Sequence, residues 1–267
     1  MDYKNSKKRF WEVDFLRGTA IVMMIIFHFL YDLDYFGVLE LNLFFGFWRY
    51  FAYATASIFI LLVGVSLTLS YSKTVKEKTG KELFTKYLFR GIKIFSWGIV
   101  ITLITFMFLP DGVILFGVLH LIGICVILAY PFIKYTCRNL VIGILFILTG
   151  LYIEGLSFNS MWLLFLGLRP ESFHTYDYFP LLPWFGVVLV GIFAGNILYS
   201  GYKRKFGIPE ISNFIFIKIL CFSGRHSLLI YLIHQPILVA LLYLSGAVSY
   251  GFNIDYLFRS YPEVFEF

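Results

Sequence analysis

Residues 13–28 read VDFLRGTAIVMMIIFH: an acid and an arginine open a run apolar enough for the middle of a bilayer, and a histidine closes it. At 100° per residue, Arg17 and His28 fall within ~20° of each other and ~16 Å apart along a helix axis, with Asp14 on the same side. Asp14 and Arg17, at i and i+3, can pair and so lower the cost of burial. Asp32 sits one turn beyond His28, where a carboxylate can orient an imidazole. A histidine held this way can exchange a proton. A structural ion pair with a carbonyl-bonded histidine would use the same residues, but ionisable groups in hydrocarbon are costly enough to mark a site by default.

Two further stretches carry histidines into apolar surroundings. In GRHSLLIYLIHQP, Ser227, Tyr231 and His234 fall at i, i+4 and i+7, a polar stripe that must face protein or trapped water. In GVLHLIG, His120 stands between Gly117 and Gly123, a spacing that suits close helix contact. Interhelical hydrogen bonding would explain either stretch taken alone. Counted by depth from the entry side of each helix, however, His28, His120 and His234 reach a similar level, so three helices can bring them to one place. A fourth stretch puts Lys86, Arg90 and Lys93 at i, i+4 and i+7, a basic stripe that either snorkels to headgroups or receives an anionic ligand.

The elements that must position these groups follow from composition. The 267 residues are 60% hydrophobic and only 14% charged, which is a polytopic membrane protein rather than a soluble domain. Seven spans are expected, at residues 14–33, 48–70, 83–108, 112–133, 139–156, 181–200 and 224–248, each near the ~20 residues a bilayer needs. The stretch FIFIKILCF before Gly224 reads as an interfacial helix because of Lys218; counted as a span it would make eight. The fold expected is thus an all-α bundle of transmembrane helices, a single domain over residues 1–267. The N-terminal run is long and carries Arg17 near its start, so it reads as a retained helix and not as a cleaved signal.

Lys and Arg fix an orientation. KNSKKR, residues 73–81, Lys134 with Arg138, and residues 203–205 all fall on one side, against Arg169 and Arg259 in the opposite loops. The positive-inside rule then places the N-terminus in the cytoplasm and the C-terminus outside. The net charge of +6 is therefore topological, and no nucleic-acid partner is expected. Three cysteines in apolar or cytoplasmic segments suggest no disulfide, and no metal site is expected. The apolar Met161–Leu168 stretch of the longest outer loop is too short to span and reads as an interfacial lid.

The segments RFWEVDFLRGTAIVMMIIFH, GRHSLLIYLIHQP and FPLLPWFGVVLVGIFAGN, together with GVLHLIG, resemble the prokaryotic membrane family related to the catalytic domain of heparan-alpha-glucosaminide N-acetyltransferase, within the wider transmembrane acyltransferases. The resemblance implies transfer of an acetyl or other acyl group from cytoplasmic acyl-CoA to a hydroxyl or amine acceptor, such as a sugar, at the outer face of the cell membrane. In that reading His28 is the general base, Asp32 supports its imidazolium, and His120 and His234 are further catalytic candidates. Arg17 with Asp14, Arg90, Lys93 and Arg225 would serve the donor's phosphate end. A homodimer is compatible with it. The chain departs from the lysosomal enzyme, which has asparagine where His28 aligns and its acetyl-handling histidine in the following loop; residues 33–47 contain no histidine.

A CoA thioester has an anionic nucleotide end and a long pantetheine arm, so a basic mouth with a reactive group ~16 Å deeper suits its shape. Two other classes compete. Facing transmembrane histidines also ligate haem, which a Soret band would reveal. A seven-helix receptor or transporter fits the span count alone, but Lys218 is not within the last span and no matched pair of broken half-helices is present.

Overall fold

The computed structural model describes residues 9–78, 80–109, 112–156, 158, 161–171 and 173–248. The tail beyond residue 248 and the basic residues before Arg9, both used above for orientation, lie outside them. Among the described residues there are eight α-helices and no β-strand: α1 (Trp11–Tyr35), α2 (Gly46–Thr74), α3 (Gly80–Phe108), α4 (Val118–Leu128), α5 (Cys137–Glu154), α6 (Leu181–Leu198), α7 (Ile215–Arg225) and α8 (Ser227–Leu244). All but α4 and α7 are long and apolar enough to cross a membrane. The protein is a multi-pass membrane protein.

One element differs from expectation and another keeps to it. The span placed at 112–133 is an irregular run over 112–117, followed by the 11 residues of α4 and a short 3-10 turn at Tyr130–Phe132. Eleven helical residues reach roughly 16 Å, about half of a bilayer's hydrocarbon core. Irregular backbone is tolerated at membrane depth only where protein satisfies it, and here it does. Thr105 Oγ1 accepts from the Ile114 N–H at 3.2 Å, Thr102 Oγ1 donates to the Ile114 carbonyl at 2.5 Å, and Asp177 Oδ2 accepts from the Val118 N–H at 3.1 Å. The other, α7, keeps to the expectation that FIFIKILCF stands apart from the last span. The FIFIKILCF stretch is a helix in its own right, separated from α8 at His226, whose φ of −104° and ψ of 20° leave the helical region. It is too short to span and is not part of the last crossing.

The described chain divides into two compact units, each treated by itself: residues 60–208, and residues 9–59 with 209–248. In the first, α2 meets α6 through glycines. A Cβ on Gly64 would strike the Val188 carbonyl, and one on Gly191 would strike that of Leu61. Gly143 and Gly186 do the same for α5 and α6, and Gly91 and Gly123 for α3 and α4. Such small-residue contacts let backbones approach where lipid offers no hydrophobic drive between helices. The loop before α6 is strapped down by Tyr178, whose hydroxyl donates to the Leu164 carbonyl at 2.6 Å. Burial pushes this phenol well above its ordinary range, so it remains a donor. The strap fixes the 3-10 turn Met161–Leu166, on which Trp162 is 86% exposed.

The second unit holds α1 against α7 and α8. Glu12 and Asp14 in the first turn of α1 favour its positive end, and the helix stops where Gly37 takes φ 71°. Gly18 of α1 and Gly224 of α7 face each other so closely that a methyl group on Gly18 would collide with the Leu220 carbonyl, and one on Gly224 with that of Asp14.

Candidate functional site

The unit built from α1, α7 and α8 brings together residues more than 200 positions apart. At its α7 end, Arg17 Nη1 lies 3.2 Å from Asp14 Oδ1 and donates to the Gly224 carbonyl at 3.3 Å. The expected Asp14–Arg17 pair is formed. Its second contact is to the last turn of α7, where carbonyls lack helical partners and a cation is favoured. Arg225, one residue on, is exposed. Cys221 packs below, its thiol donating to the Trp11 carbonyl at 3.3 Å.

Farther along α1 and α8, His28 and His234 meet edge to face, their ring centroids 4.9 Å apart. Each ring is fixed by its own helix. His28 Nδ1 donates to the Met24 carbonyl at 2.9 Å, and His234 Nδ1 to the Tyr231 carbonyl at 2.7 Å. A carbonyl can only accept, so both protons sit on Nδ1 and both Nε2 atoms keep a basic lone pair. His234 Nε2 is fully buried with no hydrogen-bond partner. Pro236, inside α8, cannot donate to the carbonyl four residues back, which loosens the helix just beyond the pair.

Asp32 is 2% exposed and one turn beyond His28, but it does not bond the imidazole. Its Oδ1 accepts from Gln235 Nε2 at 2.6 Å. The expected aspartate–histidine bond is replaced because His28 Nδ1 is already spent on Met24. Gln235 is the residue that sequence reasoning missed. A buried aspartate on the first helix needs a donor, and Gln235 carries the amide beside His234, a signal available in the string HQP. α1 thus supplies His28 and Asp32, and α8 supplies His234 and Gln235, a four-residue circuit closed by one ring contact and one hydrogen bond.

His120 belongs to the other unit and is committed there. Its Nδ1 accepts from the Gly117 N–H at 3.2 Å, which puts the proton on Nε2, 3.4 Å from Thr102 Oγ1. Phe95 and Phe116 flank the ring. Nδ1 serves the start of α4 and Nε2 meets α3, so the geometry reads as a helix-capping histidine that also ties the two helices together. Of the basic stripe on α3, Lys86 donates to Ser70 Oγ at 3.2 Å and to Thr74 Oγ1, while Arg90 and Lys93 are exposed.

The pair also bears on the haem alternative. With metal–nitrogen bonds of about 2 Å, two imidazoles on opposite faces of one iron stand with centroids roughly 6 Å apart. At 4.9 Å between centroids, His28 and His234 are in direct edge-to-face contact, with no gap between the rings in this arrangement. Among the described residues, no group of three or more His, Cys, Asp or Glu could hold a metal ion.

α1 and α8, both long and apolar enough to cross a membrane, thus hold two imidazoles with unspent Nε2 lone pairs. Residues 9–236 match the family described as "Heparan-alpha-glucosaminide N-acetyltransferase, catalytic", and the chain belongs to it. It is a membrane acetyltransferase in the general sense that this family defines. No curated protein and no solved structure matches the chain.

Proposed function

We propose that the protein, acting as one membrane domain, transfers an acetyl or other short acyl group from cytoplasmic acyl-CoA to a hydroxyl or amine, on a sugar-like acceptor, at the outer side of the cell membrane. The observation that carries this reading is the His28–His234 pair, two imidazoles locked as Nδ1–H tautomers with their Nε2 lone pairs unspent. His28 Nε2 takes the proton from the acceptor as its oxygen or nitrogen attacks the thioester carbonyl. The carbon–sulfur bond breaks, and the CoA thiolate leaves and recovers a proton. His234, edge-on to His28, keeps that ring in place and adds a second basic nitrogen beside it.

Arg17 and Asp14, with Arg225, mark the α7 end of this unit, and Arg90 and Lys93 on α3 are cations exposed for an anionic ligand. Within this unit the donor's phosphates are assigned to Arg17 and Arg225, with Asp14 holding Arg17 in place; Arg90 and Lys93 are a separate cationic candidate in the other unit, taken by itself. Purified protein should be stabilised in a thermal-shift measurement by acetyl-CoA or a longer acyl-CoA, since a ligand that binds only the folded state raises its stability by mass action. Absence of any shift at saturating acyl-CoA would sink the donor assignment.

A further inference from the structure

Three buried polar atoms in the α1–α8 circuit have no hydrogen-bond partner: Asp32 Oδ2, Gln235 Oε1 and His234 Nε2. Gln235 Oε1 and His234 Nε2 are acceptors by geometry, and Asp32 Oδ2 is a third whenever its carboxyl is ionised. Gln235 has turned its amide nitrogen to Asp32 Oδ1, which leaves its oxygen outward. His234 has given its proton to the Tyr231 carbonyl. Asp32 as a carboxylate has only lone pairs to offer. Buried polar groups in folded proteins are nearly always paired, and this circuit has put its own donors elsewhere. Asp32 is 2% exposed and His234 8%, so bulk solvent does not serve them.

Resting on the acyl-transfer reading above, we infer that Asp32 and Gln235 are specificity residues that read hydrogen-bond donors flanking the acylated group. The acceptor they fit is dense in donors, as a sugar ring with neighbouring hydroxyls is, and unlike a simple alcohol or alkyl amine. Gln235 acts twice: its NH2 holds Asp32 in place, and its carbonyl joins Asp32 Oδ2 in receiving acceptor hydroxyls. His234 Nε2 takes a third donor beside the nucleophile that His28 deprotonates. Sites built to hydrogen-bond a substrate reject analogues lacking the donor far more strongly than apolar pockets reject size changes, because their own polar atoms are then stranded.

The test uses two probes that share an amine and a pyranose ring, methyl glucosaminide and its O-permethylated form, with labelled acetyl-CoA and purified protein in nanodiscs. The hydroxylated probe should be favoured in kcat/KM by roughly tenfold or more. In Gln235→Leu that preference should fall to within about threefold, through loss on the hydroxylated probe alone, since one neutral hydrogen bond is worth several-fold. Asp32→Asn, which preserves shape, should move the preference in the same direction and covers the case of a Gln235→Leu protein that does not fold. Equal kcat/KM for both probes in the wild type would overturn the inference, as would variants that lose both probes alike, because ordered water would then suffice as partner. Transfer to neither probe by a protein that binds acetyl-CoA overturns it too. A protein that binds no acyl-CoA overturns the reading beneath it.

Discussion

His28 and His234 owe their shared tautomer to the turn of helix beneath each ring, and that determines what each can do. With Nδ1–H tied to a backbone carbonyl, neither ring needs a carboxylate to orient it, and Asp32 is released for other work. If His28 is the base, His28→Ala should leave acetyl-CoA binding nearly intact and lower transfer by roughly 10²-fold or more, measured as single-turnover acetylation. His120 should show the opposite pattern. Its Nδ1 takes the Gly117 N–H at the start of α4, so His120→Ala should cost about 1 kcal/mol or more of stability, as loss of a helix cap does, and lower activity only in proportion to folded protein. A well-folded His120→Ala enzyme with abolished turnover would refute the capping role. In the sequence, the Asp14–Arg17 pair was legible from i, i+3 spacing, and the meeting of His28 with His234 from matched depth. The fate of Asp32 was not, because its partner is an amide on α8 brought in by tertiary contact; that of His120 was not, because its local partner, the Gly117 N–H, needs a cap only where the expected span is broken.

At the scale of elements, the α1–α7 contact decides where the histidine-bearing helices stand. Gly18 and Gly224 bring two backbones together, and beside them the Arg17 guanidinium reaches the Gly224 carbonyl. A side chain at either glycine must force the helices apart. Gly18→Ala and Gly224→Ala should therefore each destabilise the protein by about 1–3 kcal/mol, the usual cost of overpacking. The double variant should cost less than the sum, since the first displacement makes room for the second. Thermal unfolding in detergent checks both statements, and unchanged stability in the single variants would disprove the close contact. Helix length and apolar content made the six long helices readable in advance. They could not locate the break at His226 or shorten the fourth span to α4, because hydropathy counts apolar residues and is blind to whether the backbone through them is helical. The threonines at 102 and 105, which make the irregular run at 112–117 affordable, belong to a different helix.

For the whole molecule, the parity of crossings is the quantity that joins structure to direction of transfer. Six helices are long enough to span, and an even count would return both ends of the chain to one side. α4 alone is too short, but it is entered through residues 112–117 and left through the turn at Tyr130–Phe132, and this composite covers the stretch read from the sequence as a crossing. The charges favour counting it. The clusters at 73–81, at Lys134 with Arg138, and at 203–205 lie on one side only if the chain crosses an odd number of times between the α3–α4 connection and the α4–α5 connection. On that rule the composite would be a crossing, with side-chain hydroxyls and Asp177 standing in for the missing helical hydrogen bonds. The transfer proposed above requires this parity, with the donor approaching from the basic side and the acceptor from the other. An epitope placed before Met1 should accordingly be labelled only after permeabilisation, and one placed after Phe267 should be labelled on intact cells. Cysteine labelling at the α2–α3 turn, as in Lys76→Cys, should follow the first pattern, and at the loop before α6, as in Thr175→Cys, the second. If both epitopes label on one side and residues 76 and 134 label on opposite sides, the composite is re-entrant, the chain crosses six times, and the outward direction proposed for transfer must be abandoned.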